Sequence, residues 1–457
     1  MAEPGNDRAP STAAESAGQG GGQSRIAAWQ RFAAFLCFGM AVGAPAAQSL
    51  NALRFLPGSN VVEGLIALPV FVIGIVGLAR IVLAPFVDAF DPPILKGLGR
   101  RRGWTALLTA LLLALSAPIL VMAPAGNPIG APTGPVDIAL MLAAVLVAGA
   151  LLATVDGLRS VQPGRRWQGA LATAQYLGTI VPAALLPVIL RQPDSLTISI
   201  FLCVFITAAW LGLWLLPGRE APSPKLFQRP ELEGLLRGEQ NLSRGGKAIT
   251  AWLYGMFICP IADFFRRFGR LAWAILAVLL LGDLATNLDT SQILQSNAVY
   301  LTSAHVTRIG AIRSVAQFGG TIVAAWLIWR VGAARGLAAT FVLAGAAALS
   351  GLGAIAAAPS IPWFMTALAI GALAQGAILI GFVAFIARVT TPAFAAWQFS
   401  LLWLAGLPNS VIAELRDASN QMLSVNGTYL VFLVLLAAAI ALTWRVAQRL
   451  DDALDQG

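Results

Sequence analysis

Charge is scarce in this chain of 457 residues: Asp, Glu, Lys and Arg make up 11% of it, whereas 58% of its residues are hydrophobic. Soluble globular domains carry roughly 25% charged residues, so the composition excludes an ordinary soluble protein. Apolar runs long enough to cross a bilayer, for which about 20 residues suffice, recur along the sequence. The composition therefore predicts an all-α integral membrane protein.

Metal-binding and nucleophilic side chains are also scarce. The three cysteines, Cys37, Cys203 and Cys259, are far apart, and His305 is the single histidine. This set offers no cluster with metal-ligand spacing. The sequence contains no nucleophile and base pattern and no P-loop. We therefore expect no metal, no cofactor and no enzymatic activity, and ATP-driven transport has no support.

Twelve apolar runs divide into two sets of six. The first set covers approximately 31–53, 62–86, 104–123, 136–156, 168–190 and 196–216, and the second covers 270–291, 306–330, 336–357, 362–387, 393–413 and 425–446. We expect a disordered tail over 1–24, a six-helix half over 25–216, a polar middle loop over 217–268, a second half over 269–447 and a tail over 448–457.

The basic residues give the chain a net charge of +9. Of its 30 Lys and Arg, most lie in tails and loops on one predicted face, including the middle loop. Only Arg54, Arg191, Arg308 and Arg416 fall at the opposite face, and Arg80 and Arg313 lie inside apolar runs. Because cytoplasmic loops collect Lys and Arg, this asymmetry predicts cytoplasmic termini and a cytoplasmic middle loop, and it implies no nucleic-acid surface.

The stretch from Arg80 to Trp104 joins the second and third runs. Asp88 closes one run, a turn containing Pro92 and Pro93 follows, and Gly99-Arg100-Arg101-Arg102 opens the next run. An acidic residue beside three arginines at a membrane edge predicts a gate latch between helices. The simpler alternative is that the arginines serve only as a topology signal, although that leaves Asp88 unexplained.

This order of Asp, turn and Gly-Arg-Arg-Arg resembles the loop between helices 2 and 3 of the major facilitator superfamily. More narrowly, Leu83-Ala-Pro-Phe-Val-Asp88 and Gly99-Arg-Arg-Arg-Gly-Trp104 resemble AmpG-type muropeptide permeases and their peptide/acetyl-CoA transporter relatives. The resemblance implies twelve transmembrane helices in two six-helix halves, with a solute site near the midplane between them.

Other stretches match the same family in order. They are Arg80, Asp263-Phe-Phe, Leu281-Gly282-Asp283, Arg313 and Gln398-Phe399.

Other positions depart from the family pattern. Asp156-Gly-Leu-Arg159 keeps part of one motif, Leu280 replaces a lysine, Gln175-Tyr176 replaces Tyr-Arg, and Gly406-Leu-Pro408-Asn409 replaces a Gly-Arg pair. These losses of basic residues put the binding of anionic muropeptides in question without affecting the predicted fold.

Ionisable residues within apolar runs are candidates for function, because a charge in the bilayer costs roughly 2.5–3.5 kcal/mol on insertion scales. We predict that Asp283 carries a coupling proton and that Arg313 tunes it or holds an anionic group; the alternative for both is a structural pairing in the bundle. Arg80 is predicted to snorkel or to face the cavity. Asp156 with Arg159 is predicted to form a gate pair, and the alternative is that these two residues are solute ligands. Polar candidates for the cavity, whose alternative role is to hydrogen-bond neighbouring helices, are Asn287, Gln175, Tyr176, Gln48, Gln317 and Gln375.

Together these features predict a proton-coupled secondary transporter of the bacterial inner membrane that acts by alternating access and resembles permeases of peptidoglycan recycling. We expect a monomer that carries a small-molecule or glycopeptide solute with protons and contacts membrane lipid. The alternative is a transport-inactive relative that serves as a membrane assembly or regulatory factor. The missing basic residues favour that alternative, whereas Asp283 with Arg313 argues against it.

Overall fold

The structure, a computed structural model, describes residues 27–45, 76–77, 79–122, 135–162, 167–189, 195–217, 253–286, 303–356, 361–404 and 430–450, together with 246, 249 and 427. The regular elements in these ranges are all helical. They are α1 (Ala27–Pro45), α2 (79–89), α3 (Arg100–Met122), α4 (Pro135–Ser160), α5 (Gln168–Ile189), α6 (Ser195–Leu215), α7 (Cys259–Phe268), α8 (Arg270–Thr286), α9 (Ser303–Val331), α10 (Ala333–Ala356), α11 (Ile361–Val389), α12 (Ala395–Leu404) and α13 (Leu430–Leu450).

The helices follow the predicted apolar runs to within a few residues wherever the structure describes both. In that part of the chain, six helices are long and apolar enough to cross a membrane. The runs predicted at 31–53, 62–86 and 393–413 each extend into residues outside the described ranges. The chain is therefore an all-helical, multi-pass membrane protein, as its composition predicts.

The end of the predicted middle loop is helical, which the sequence analysis did not foresee. A π-helical turn, Tyr254–Ile258, leads into α7, and Gly269 ends this helix with a φ of 51°, in the left-handed region that favours glycine. α7 is amphipathic: Phe264 and Phe268 are buried, whereas Ile261 and Arg266 are exposed. The polar face of α7 lowers the average hydrophobicity of this segment, and the sequence analysis therefore assigned it to a loop. In the structure it is a helix whose apolar face packs against the bundle.

Each half of the bundle has its own apolar core. Helices α1, α3, α4, α5 and α6 share a core that includes Phe35, Phe38 and Leu151. Helices α7, α8 and α10 to α13 share another, which includes Phe341 and Phe385. Two smaller clusters join the halves. One lies between α5, α9 and α11 and the other between α2, α4 and α12.

Glycines let neighbouring helices touch backbone to backbone. A Cβ atom added to Gly39 on α1 would lie 2.0 Å from the Gln175 carbonyl oxygen on α5, and one added to Gly320 on α9 would lie 1.9 Å from the Leu373 oxygen on α11. Small residues at such crossings are the usual way in which membrane helices pack closely. The α9–α11 crossing therefore depends on Gly320.

The adjacent Gly319 provides a matched control, because a Cβ atom there would meet no atom within 4 Å. We expect Gly320→Ala to lower the melting temperature of the purified protein, since overpacking typically costs about 1–3 kcal/mol. Gly319→Ala should leave the melting temperature unchanged or raise it slightly, because alanine favours the helix. Thermal unfolding of both variants in detergent tests this, and equal melting temperatures would show that the crossing adapts freely.

Candidate functional site

Most helix ends that carry arginines meet at one end of the bundle, which we call the basic end. Arg101 Nη2 donates to the Pro392 carbonyl oxygen at 2.5 Å, and Arg102 Nη2 donates to the Pro217 oxygen at 3.1 Å. Arg267 Nη2 donates to the Val389 oxygen at 3.1 Å. These bonds connect segments more than 100 residues apart in the chain. The arginines therefore hold this end of the bundle together.

Helix α12 begins at the centre of the basic end. Its residues Trp397, Gln398 and Phe399 point in three directions because successive residues of a helix are rotated by about 100°. Each of the three contacts a different polar group. We call these groups the latch (Asp88, Arg101 and the Trp397 backbone), the Asp263 cluster (Asp263, Arg267, Thr391 and Gln398) and the paired-arginine cluster (Arg80, Asp156, Arg159 and Gln175).

In the latch, one carboxylate joins the two halves. Asp88 Oδ2 accepts a hydrogen bond from the Trp397 backbone N–H at 2.8 Å, and Asp88 Oδ1 accepts one from Arg101 Nη2 at 2.9 Å. The first N–H groups of a helix have no partner within it, and the positive end of the helix dipole favours an anion there. The Asp88 and Arg101 side chains are only 3% and 1% exposed. The predicted pairing of Asp88 with the arginines is therefore present.

The three consecutive arginines have three separate roles. Arg100 donates to the Asp88 carbonyl oxygen at 2.7 Å and to Asp91 Oδ1 at 3.0 Å, which fixes the loop between α2 and α3. Arg102 reaches the end of α6, and Arg101 pairs with the Asp88 carboxylate. Gly99 precedes them with a φ of 90°, which favours glycine and turns the loop into α3.

The paired-arginine cluster lies deeper in the bundle. Asp156 Oδ2 accepts a bond from Arg80 Nη2 at 2.5 Å, and Asp156 Oδ1 lies 3.0 Å from Arg159 Nη2. Gln175 Nε2 donates to Asp156 Oδ1 at 3.0 Å, and its Oε1 accepts from Arg159 Nη1. The predicted Asp156–Arg159 pair is thus present. Arg80 does not snorkel to the membrane edge, because Asp156 provides a buried partner.

Aromatic rings from the other half cover this cluster. The Phe399 ring centre lies 5.4 Å from the Arg80 guanidinium carbon and 5.1 Å from that of Arg159. The Trp403 ring lies 5.5 Å from Arg80 and is stacked on Phe399. Cation–π contacts of desolvated arginines are worth about 2 kcal/mol or more. The cover is therefore a second contact between α12 and the first half.

The Asp263 cluster attaches α12 to its own half. Asp263 Oδ2 accepts bonds from Gln398 Nε2 at 3.0 Å, Thr391 Oγ1 at 3.1 Å and Arg267 Nε at 3.1 Å. Gln398 Oε1 in turn accepts a bond from the Thr391 backbone N–H at 2.8 Å. The Asp263-Phe-Phe and Gln398-Phe399 stretches are therefore in direct contact in space.

Sequence reasoning did not assign a site role to Asp263, Trp397, Gln398 or Phe399. Asp263 and Gln398 are separated by 135 residues, so no spacing rule connects them. One sequence feature could have connected them: Asp263 and Gln398 both lie in stretches that resemble the same transporter family. The role of Trp397 rests on its backbone, and a side-chain pattern cannot reveal it.

The other predicted site residues lie away from the basic end. Arg313 is exposed on α9, where its Nη2 donates to Gln375 Oε1 at 3.5 Å, and it interacts electrostatically with the Tyr176 hydroxyl. Gln317 and Asp283 are half-buried on α9 and α8. Gln175 has both its amide atoms bound within the paired-arginine cluster, so it makes the helix-to-helix hydrogen bonds that were its alternative role. Gln48 and Asn287 lie outside the described residues.

Within the described ranges, His, Cys, Asp and Glu form no group of three or more that could hold a metal ion.

The overall fold of the chain is similar to that of several solved structures. A bacterial homologue of the iron transporter ferroportin in its outward-facing state is 14% identical, with a TM-score of 0.56 over 93% of this chain and 99% of that chain. The human organic anion transporter MFSD10 (TETRAN) is 12% identical, with a TM-score of 0.58 over 92% and 99%. The transporter FucP in its outward conformation is 13% identical, with a TM-score of 0.59 over 92% and 98%.

These likenesses show that the chain has the major facilitator fold, with twelve transmembrane helices in two six-helix halves. No sequence-family model matches the chain, and no curated protein matches it in sequence. The assignment to AmpG-type permeases therefore stays a prediction.

The latch predicts a measurable change when its carboxylate is neutralised. Ser400 lies one turn after Ala396 on α12, is 2% exposed and suits an almost isosteric cysteine reporter. In a background with Cys37, Cys203 and Cys259 replaced by serine, Ser400→Cys should react with a water-soluble maleimide only when the basic end opens. Asp88→Asn should raise that rate about tenfold, which corresponds to about 1.4 kcal/mol.

Asp91→Asn is the matched control, because the Asp91 side chain is 38% exposed and its pair with Arg100 lies within one half. Exposed ion pairs contribute about 0–1 kcal/mol, so its labelling rate should stay within about fivefold of the parent protein. Equal rates in Asp88→Asn and the parent protein would reduce the Arg100 to Arg102 motif to a topology signal.

Proposed function

We propose that this protein is a secondary transporter that works by alternating access, with the basic end as its cytoplasmic gate. The observation that carries the proposal is the latch, in which a single buried carboxylate joins Arg101 of one half to the Trp397 backbone of the other. The groups of such a junction can be paired with one another, which closes the gate, or separated and hydrated, which opens it. A gate requires two discrete arrangements of this kind. The coarse likeness to solved major facilitator transporters supports the same reading.

The seal at the basic end corresponds to a conformation that is closed toward the cytoplasm. Thr173 Oγ1 on α5 donates to the Thr321 carbonyl oxygen on α9 at 3.1 Å, and a Cβ atom on Gly157 would lie 3.0 Å from Ala396. The halves therefore touch closely on both sides of the basic end. Two of the similar solved transporters are described as outward-facing, which is the state that a sealed cytoplasmic end produces.

The solute is proposed to bind near Arg313, Gln375 and Tyr176. Arg313 offers a cation that keeps part of its surface exposed, and Gln375 and Tyr176 add hydrogen-bonding groups beside it. A guanidinium group with neutral polar neighbours suits a carboxylate. This chemistry is compatible with a muropeptide-like solute, and uptake in a bacterial inner membrane would serve peptidoglycan recycling.

Proton coupling is assigned to Asp283. It is the acidic residue of α8, about thirteen residues from Arg270 at the start of that helix, and its side chain keeps partial exposure. A carboxyl group inside a membrane bundle can bind and release a proton as its surroundings change, which is what coupling to a proton gradient requires.

The proposed orientation is tested with Arg237→Cys in the same cysteine-free background. Because the middle loop is expected in the cytoplasm, this residue should react with an impermeant thiol reagent in inside-out vesicles and stay unmodified in intact spheroplasts. Labelling from the periplasmic side alone would reverse the orientation and make the basic end a periplasmic gate.

Transport itself is tested with an anhydro-muropeptide in proteoliposomes, with and without an imposed proton gradient. Asp283→Asn should keep the protein folded and abolish gradient-driven accumulation while exchange of solute continues, because the amide preserves shape but carries no exchangeable proton. Asp91→Asn serves as the control at an aspartate outside the apolar runs and should accumulate solute normally. Full accumulation by Asp283→Asn would remove the proton assignment. Absence of uptake in every protein would favour the assembly-factor alternative.

A further inference from the structure

The paired-arginine cluster has one more positive charge than negative charge. Arg80 and Arg159 share the single carboxylate of Asp156, and Gln175 adds no charge. The two guanidinium groups also lie close enough to repel one another. Arg80 and Arg159 are 6% and 2% exposed, so water does little to offset this repulsion. In the described part of the bundle, the surplus charge is covered by aromatic rings and by no second carboxylate.

Both arginines retain unused hydrogen-bonding capacity. The Nε atoms of Arg80 and Arg159 are buried and have no hydrogen-bond partner among the residues that the structure describes. A guanidinium group binds a carboxylate or phosphate through parallel N–H bonds, and Nε is one of the donors in that arrangement. A buried donor without a partner costs free energy. The cluster therefore has the charge and the donors for an oxyanion.

The cover on the cluster comes from the other half of the protein. Phe399 and Trp403 belong to α12, which is fixed to the second half through the Gln398 side chain and Asp263. Arg80, Asp156 and Arg159 belong to α2 and α4 of the first half. When the halves separate at the basic end, the rings leave and the arginines face the opening. An anion could then bind Arg80 and Arg159 in the place of the electron-rich faces of the Phe399 and Trp403 rings.

We propose that Arg80 and Arg159 form a binding site for the carboxylate or phosphate group of a solute, accessible only when the basic end is open. The site rests on the proposed function, because its accessibility depends on separation of the two halves. It is distinct from Arg313, which lies on α9 of the second half. Since a ligand shifts a conformational equilibrium toward the state that it binds, an oxyanion should hold the basic end open.

The Ser400→Cys reporter measures this opening without any transport assay. The protein is placed in nanodiscs of zwitterionic phosphatidylcholine, so that the lipid supplies no net anionic headgroup, and is labelled in sodium chloride, sodium acetate or sodium phosphate at equal pH and ionic strength. A free thiol compound in the same salts corrects for reagent chemistry. The acetate and phosphate rates should exceed the chloride rate about threefold when the oxyanion is present at about twice its dissociation constant.

Two variants make the result specific. Arg159→Gln removes the surplus charge and leaves the Arg80–Asp156 pair neutral, so the protein should fold and its rates should be equal in all three salts. Arg335→Gln removes one exposed arginine from the helix that follows α9 and should keep the threefold response.

Equal rates in acetate and chloride for the reporter protein would overturn the oxyanion site and leave alternating access intact. An unchanged oxyanion response in Arg159→Gln would overturn the site as well. Absence of labelling in every salt would contradict both the site and the proposed gate.

Discussion

The start of α12 imposes the constraint on which the basic end depends. Its first N–H groups have no partner within the helix, and they lie buried between the two halves of the protein. Asp88 supplies an acceptor to the Trp397 N–H from the other half, and this buried carboxylate in turn requires the cation Arg101. The Trp397 N–H, the Asp88 carboxylate and the Arg101 guanidinium thus compensate for one another's loss of water. Removing any one of them leaves a buried polar or charged group without its partner, which costs free energy.

The two sides of α12 are held differently, which determines how the protein can move. The Gln398 side chain binds Asp263 and Thr391 within the second half, whereas the Trp397 backbone and the Phe399 ring contact the first half. In the proposed opening, separation of the halves would break the latch and the aromatic cover together and leave the Asp263 cluster intact. Helix α12 would move with its own half, and the paired-arginine cluster would stay with the other half.

The sequence predicts the membrane helices well because lipid imposes both their length and their composition. It also predicts that Asp88 pairs with arginine and Asp156 with Arg159, since each pair is close along the chain or flanks one short loop. It cannot choose Arg101 from three consecutive arginines, because the choice depends on how Gly99 sets the rotation of α3. It cannot find Asp263 with Gln398 or the Phe399 cover, because these contacts join distant helices.

Buried ion pairs such as the latch usually contribute little net stability although their separate contributions are large, and this would suit the latch to the proposed gate. Desolvation of each ion costs several kcal/mol, and the attraction between Asp88 and Arg101 roughly repays that cost. When the basic end opens, both groups regain water, so the free energies of the closed and open states stay close. An apolar contact of the same size would lose its burial on opening and would gain no hydration in return, so it would favour the closed state strongly. Modest contributions, such as the proposed proton binding at Asp283 or the proposed anion at Arg80 and Arg159, would then be sufficient to select between the two states.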